Sequence, residues 1–242
     1  MKILDEILDS LPKEPVAVRK LVVGVHWVLV CSKHAGLGST LTNCGPHGHS
    51  HMREVGNLLE KSAQELAGWI KSDNLLEASV GVAAINSLLE VDHSRLVEIN
   101  AADVLAKEAQ NKNLAVIGHF PFVPKIKDAT KNCWVIEKKP YGDDFPEEAA
   151  AQYLPQADVV AITGTSLINH TFESLLALCK KDALLMVLGP STPLTQLLLQ
   201  KGITYLSGSI VVDEDAAALT IQQGASFPQV KGVKTVTLAA QG

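Results

Sequence analysis

Ile3, Leu4, Ile7, Leu8 and Leu11 recur at helical spacing with acids between them, and Pro12 and Pro15 close the run. The pattern predicts a short amphipathic helix with one packed face. From Val16 to Val30 the residues turn β-branched (VAVRKLVVGVHWVLV), and the central Gly24 predicts two strands joined by a tight turn. A third short strand is expected at 39–42. Ser50 is a candidate cap for a helix carrying Val55, Leu58, Leu59, Leu66, Trp69 and Ile70 on one face, and Asp73 for a second helix ending near Glu90. Antiparallel strands followed by helices make an α+β unit, assigned to residues 1–100.

Beyond a helix predicted at 101–110, short apolar strands alternate with amphipathic helices. Strands are expected at 114–118, 133–137, 158–163, 184–189 and 204–207. Runs apolar on both faces suit a parallel sheet covered by helices on each side. Residues 101–242 therefore read as a Rossmann-like domain, and the chain overall as α/β. Asp144 before Pro146 and Thr192 before Pro193 read as helix starts with proline in the first turn, and Gly202 and Gly224 as stops. The tail at 233–238 alternates Val and Thr, which fits either an edge strand or a loose end.

Composition narrows the partners. The 242 residues carry 21 basic and 26 acidic side chains, a net charge of −5, with no basic run to neutralise nucleic-acid phosphates. MKILDEILDS interleaves acids with apolar residues, unlike a secretory signal, and no apolar stretch approaches the roughly 20 residues that cross a bilayer. A soluble, cytoplasmic protein is expected, with neither nucleic acid nor membrane as partner. Cys31, Cys44, Cys133 and Cys179 are widely spaced without CxxC, which fits neither a disulfide scaffold nor a zinc knuckle. Three of them read as buried thiols.

Ligands of open α/β sheets bind beyond the carboxyl ends of the strands, so chemistry is sought there. The first end offers Gly118, His119 and Phe120, the second Glu137, the third Thr163, Gly164, Thr165, Ser166 and Asn169, the fourth Gly189, Pro190 and Ser191. Glu137 falls 19 residues after Gly118, the position of the ribose-binding acid in dinucleotide and S-adenosylmethionine proteins, although GHFPF lacks GxGxxG. The alternative for Glu137 is a solvated acid at a strand end. His119 is the candidate general acid or base, and a hydrogen-bonded structural histidine is its alternative. GTSLIN and GPSTP resemble anion-holding turns, or plain helix caps.

In the first unit, HAGLGSTL reads as a loop in which Gly36 and Gly38 permit special backbone geometry, or as a hairpin. Asn86 is the one amide in the apolar segment GVAAINSLL, and either completes a buried network or faces a ligand. A pocket between the two units would use both features. CGPHGHSH brings Cys44, His47, His49 and His51 within eight residues. Thiolate and imidazole suit zinc, nickel, copper or cobalt, but the alternating spacing matches no named zinc motif.

GLGSTL, GVAAINSLL, VIGHFPF, WVIEKKPYGDDFP, ADVVAITGTSLINHTFESLL, VLGPSTPL and GITYLSGSIV together resemble the uncharacterised prokaryotic family described as "putative heavy-metal chelation" proteins. The resemblance spans nearly the whole chain. It implies an enolase-N-terminal-like domain followed by a Rossmann-like domain, with an active site where they meet. Its suggested roles concern metal chelation or synthesis of chelating cofactors such as pterins, siderophores or corrinoids. Carried over by motif, Gly118, His119, Phe120, Glu137, Gly164, Thr165, Asn169, Gly189, Pro190 and Ser191 line the Rossmann side, and Gly36, Gly38 and Asn86 close it. The Cys44 to His51 cluster matches no family motif.

The expected protein binds an anionic or metal-chelating metabolite between its units, with condensation or hydrolysis as candidate chemistry. Amides at the Thr165 and Ser191 turns would hold anionic oxygens, Glu137 would accept from hydroxyls, and His119 would carry the proton. The candidate cofactors are a divalent transition metal or an adenosyl-type ligand. The partner is a small molecule, and a homo-oligomer is compatible with the sequence. Two rivals stand beside this reading: a non-catalytic metal-binding module built on the Cys/His loop, and an S-adenosylmethionine-dependent methyltransferase-like enzyme.

Overall fold

A computed structural model of the protein describes residues 1–43 and 50–240. Helix α1 (Lys2–Ser10) buries Leu4 and Ile7, as its spacing predicts. Strands β1 (Lys20–Val23), β2 (Trp27–Cys31) and β3 (Ala35–Ser39) follow as an antiparallel sheet in the order β1-β2-β3. The third strand is therefore the HAGLGS segment itself, not a loop before a strand at 39–42. No continuous helix spans 50–70. Glu54 and Gly56 have positive φ, and Ser62 restarts the chain as α2 (Ala63–Ala67) through a capping box with Glu65. Val55 and Leu59 consequently stay exposed.

Helix α3 (Leu75–Leu88) is capped by the Asn74 side chain, one residue after the expected Asp73. It is buried almost all round, which explains a sequence apolar on every side. Gly36 and Gly38 let its backbone approach β3: a Cβ on Gly36 would stand 2.3 Å from the Ala83 carbonyl oxygen and 2.4 Å from the Ser87 nitrogen.

The larger sheet contains β4 (Leu96–Val97), β5 (Asn113–Ile117), β6 (Asn132–Glu137), β7 (Phe145–Pro146), β8 (Val159–Thr163), β9 (Leu184–Leu188), β10 (Tyr205–Val211) and β11 (Val233–Ala239). Their order is β4-β11-β10-β9-β8-β5-β6-β7. From β10 to β7 all neighbours are parallel, and β11 runs antiparallel to β10 and β4. The tail is thus an internal strand. Helices α4 (Ala101–Glu108), α5 (Val123–Lys127), α6 (Ala150–Tyr153), α7 (Thr165–Ile168), α8 (Phe172–Leu178), α9 (Gln196–Gln200) and α10 (Glu214–Gln222) complete the α/β arrangement. Gly202 and Gly224 follow α9 and α10 with positive φ, as stops should. Two expected starts fail: Pro146 lies in β7, and α9 is capped by Thr195 rather than Thr192.

Alternate strand residues feed two apolar layers. Ala115, Ile136 and Ile162 join α1–α3 and α8 in one, while Val116, Ala161 and Leu188 join α4 and α5 in the other. Helix α10 covers the small sheet, where Ala217, Ala218 and Ile221 meet Leu29 and Cys31. Cys31 is buried, whereas Cys133 and Cys179 are only partly so. Among the described residues no helix is long and apolar enough to cross a membrane.

Candidate functional site

The chain leaves β5 for β6 on one side and reaches β8 on the other, so the winding reverses between β5 and β8. Ile117 pairs with Ile162, which places the loops after both strands side by side. A crevice at that reversal is the expected ligand position of an open α/β sheet. A cavity of about 380 Å³ lies there. Gly118, His119, Phe120, Glu137, Thr165 and Asn169, all read from the sequence as site residues, line it together.

Local geometry fixes these groups. Gly118 donates its N–H to Ile136 O (2.9 Å) and then turns at φ +104°, carrying His119 over the end of β6. There the backbone N–H of His119 donates to Glu137 Oε2 (3.0 Å), and that of Lys138 to Glu137 Oε1 (2.7 Å). Each carboxylate oxygen keeps acceptor capacity for a ligand hydroxyl or amine. Asn169 Oδ1 accepts from Thr171 N–H (3.3 Å) and Oγ1 (2.7 Å), which assigns the amide and leaves Nδ2 as its donor end. The Thr163 and Thr165 hydroxyls lie 3.0 Å apart. Ile117, Ile136, Leu175 and Leu178 form the apolar wall, and Glu147 and Glu148 line the cavity with Lys138, whose Nζ is 3.0 Å from Glu147.

His119 Nδ1 lies 2.8 Å from Asp144 Oδ2, and Asp144 also accepts from Tyr141 N–H (3.2 Å). The carboxylate expected to start a helix instead holds the candidate proton carrier. Sequence reasoning missed this role because the partners lie 25 residues apart. Thr163 and Ser166, read from the sequence at the third strand end, line the cavity as well.

The remaining expected residues lie elsewhere. Gly164 packs on the loop after β9, where an added Cβ would stand 2.8 Å from the Thr192 nitrogen. Ser191 is buried and its Oγ accepts from Ser39 N–H (2.8 Å), tying that loop to β3. Gly189 and Pro190 line a different, larger cleft. Asn86 donates to Leu37 O (2.8 Å) and borders a separate cavity of about 160 Å³. Gly36 and Gly38 serve helix packing. Among the described residues the cavity at the sheet reversal is walled by residues 117–178, and none from the first unit closes it.

Cys44, His47 and His49 lie outside the described residues, and His51 is exposed. Among the described residues no three His, Cys, Asp or Glu side chains converge to hold a metal ion. The described lining of the cavity therefore does not fit a resident metal.

Residues 100–239, which hold β5 to β11 of the large sheet and the cavity, match the DUF364 family, described as "Putative heavy-metal chelation". The chain belongs to this family. Residues 4–89 match DUF4213, which carries the same description. A DUF364 protein of unknown function from Desulfitobacterium hafniense superposes with a TM-score of 0.84 at 27% identity, over 98% of each chain. Another from Pyrococcus horikoshii gives 0.82 at 21% identity, again over 98% of each, and shares the fold. An uncharacterized protein of Methanocaldococcus jannaschii is 28% identical over 194 residues, 76% of this chain and 73% of its own. The resemblance read from the DUF364 motifs is thereby confirmed.

Proposed function

We propose that the cavity at the β5/β8 reversal binds a small metal-chelating metabolite, with Glu137 accepting hydrogen bonds from its hydroxyl or amino groups. The observation that carries this reading is the convergence of Glu137, His119, Thr165 and Asn169 on one space of about 380 Å³. That volume lies at the lower end of small-molecule sites, roughly 300–1,000 Å³. A bicyclic ring such as a pterin fits; a corrinoid would bury only an edge.

The lining also revises the ligand's charge. Three glutamates, 137, 147 and 148, face one lysine already engaged by Glu147. Such a wall disfavours an anion and favours a neutral or cationic ligand, including a chelator that arrives with its metal. The metal is then cargo, held by the metabolite's own donors.

In this reading Glu137 is preorganised by two backbone N–H groups, so ligand binding requires no rotation of its carboxylate. The Thr165 hydroxyl and Asn169 Nδ2 complete the polar side. His119, oriented through Nδ1, keeps Nε2 for proton exchange with the ligand.

Thermal-shift titration with a pterin series, with and without nickel or zinc, tests the proposal. A pterin should raise the melting temperature of the native chain by mass action, and Glu137→Gln should abolish most of the shift. Equal shifts in both proteins would overturn the assignment of Glu137. A shift with metal alone that survives Glu137→Gln and disappears when His47, His49 and His51 become Ala would transfer the function to the Cys/His loop.

A further inference from the structure

Phe120 borders two spaces. One is the cavity above, and the other is a cleft of about 880 Å³ that runs from the loop after β5 to the segment joining α10 and β11. Phe120 and Phe122 pack with the α4–α5 layer, on the other face of the sheet from Ile136. The cleft is thus a separate compartment, and it combines the small sheet's Trp27 with residues of the large sheet.

Four aromatic rings line it as two pairs. Phe120 and Phe122 are stacked with centroids 5.5 Å apart, and Trp27 and Phe227 are tilted at 5.3 Å. All four are only partly buried. Trp27 Nε1 is committed to Ala225 O (3.1 Å), which anchors the indole and leaves its ring surface, rather than its N–H, for contact. Aromatic walls that stay partly open in a space of this size suit a flat ring system.

Charge selects among flat ligands. The cleft holds Lys125, Lys234 and Glu98, of which the last two pair at 2.7 Å. Lys125 is exposed and its Nζ has no carboxylate partner among the described residues. The amino end of α4, capped by Asn100, opens on the same cleft and adds a positive partial charge, while Asp103 of its first turn does not line it.

We propose that this cleft is a second ligand site, which takes a planar aromatic anion with its rings against the aromatic walls and its acidic group on Lys125. The site is independent of Glu137 and of the cavity assigned above.

The test is a titration of the full chain with 1-anilinonaphthalene-8-sulfonate, followed by dye emission and by energy transfer from tryptophan. One dye per folded chain is expected to bind saturably. Lys125→Glu, a surface change whose melting curve should match the parent, is expected to weaken binding by about fivefold or more, the weight of an ion pair turned repulsive. The uncharged N-phenyl-1-naphthylamine should bind correspondingly weaker than the sulfonate. Phe122→Ala should also weaken binding, and Glu137→Gln should leave it unchanged, which separates failure here from failure of the pterin assignment. Non-saturable binding, equal affinity in Lys125→Glu, or equal affinity for the uncharged dye would overturn the proposal.

Discussion

Asp144 Oδ2 stands 2.8 Å from His119 Nδ1, and the two side chains differ in exposure: 6% for the carboxylate and 49% for the imidazole. A sheltered acid thus holds an open ring by one nitrogen. The consequence is a preferred tautomer, since the nitrogen that donates to the carboxylate carries the proton. In neutral His119 the contact should favour the proton on Nδ1. A partly exposed contact of this kind is worth about 1 kcal/mol, roughly fivefold in the tautomer ratio. Nitrogen-15 NMR of labelled histidine should show a larger Nδ1–H share in the parent than in Asp144→Ala, by about fivefold in the tautomer ratio. Identical ratios would mean that the contact does not order the ring.

Gly36 faces a different constraint. Its missing Cβ is the space through which α3 approaches β3, and the atoms in the way are the Ala83 carbonyl oxygen and the Ser87 nitrogen, both backbone. A helix backbone cannot yield as a side-chain tip can. Gly36→Ala should therefore cost about 3 kcal/mol by overpacking. Urea unfolding should show a lower midpoint with an unchanged slope. A cost below about 0.5 kcal/mol, the ordinary surface range, would show that α3 is free to slide.

The large sheet was legible because its central strands are buried on both faces and so appear as unbroken apolar runs. The same rule, applied to strand ends, found Gly118, Glu137, Thr165 and Asn169. It failed for Ser191 because β9 lies beyond β8, and its loop is drawn to Ser39 by a bond spanning 152 positions. The β3 glycines resembled a loop because a strand without side chains has no alternation to read; their cause, the α3 backbone, is remote in sequence. Residues 50–70 kept helical spacing, yet Gly56 and the Ser62–Glu65 box reset the phase locally. Asp144 gave no local sign of its partner.

Cysteine chemistry follows from burial. Desolvation, reinforced by the nearby Glu214 carboxylate, pushes the Cys31 thiol up to about 12, and desolvation alone pushes Cys179 up to about 11. At pH 8 only about one Cys31 in ten thousand would be thiolate, the form that reacts. Peptide mass spectrometry after treatment with an aromatic disulfide reagent should find Cys31 unmodified in the native protein and fully modified after denaturation. Labelling of native Cys31 within minutes would contradict its burial beneath α10.

The contact that joins α10 to the segment entering β1 is pH-dependent. Arg19 donates to Glu214 twice, Nη1 to Oε2 at 2.7 Å and Nη2 to Oε1 at 2.6 Å, while its Nε donates to Ser32 O. The guanidinium holds the Glu214 carboxyl below its ordinary 4.5. A carboxyl lowered in the folded state stabilises it fully above the unfolded value, and the contribution is lost as pH falls through the lower, folded value. Side-chain exposures of 50% and 30% limit the pair to about 1 kcal/mol despite its bidentate geometry. Glu214→Gln should accordingly unfold at lower denaturant concentration than the parent at pH 7. As the parent's own carboxyl becomes protonated below pH 4.5, the two midpoints should converge. A gap that persists undiminished as pH falls through the carboxylate range would assign the loss to packing rather than to the charge on Glu214.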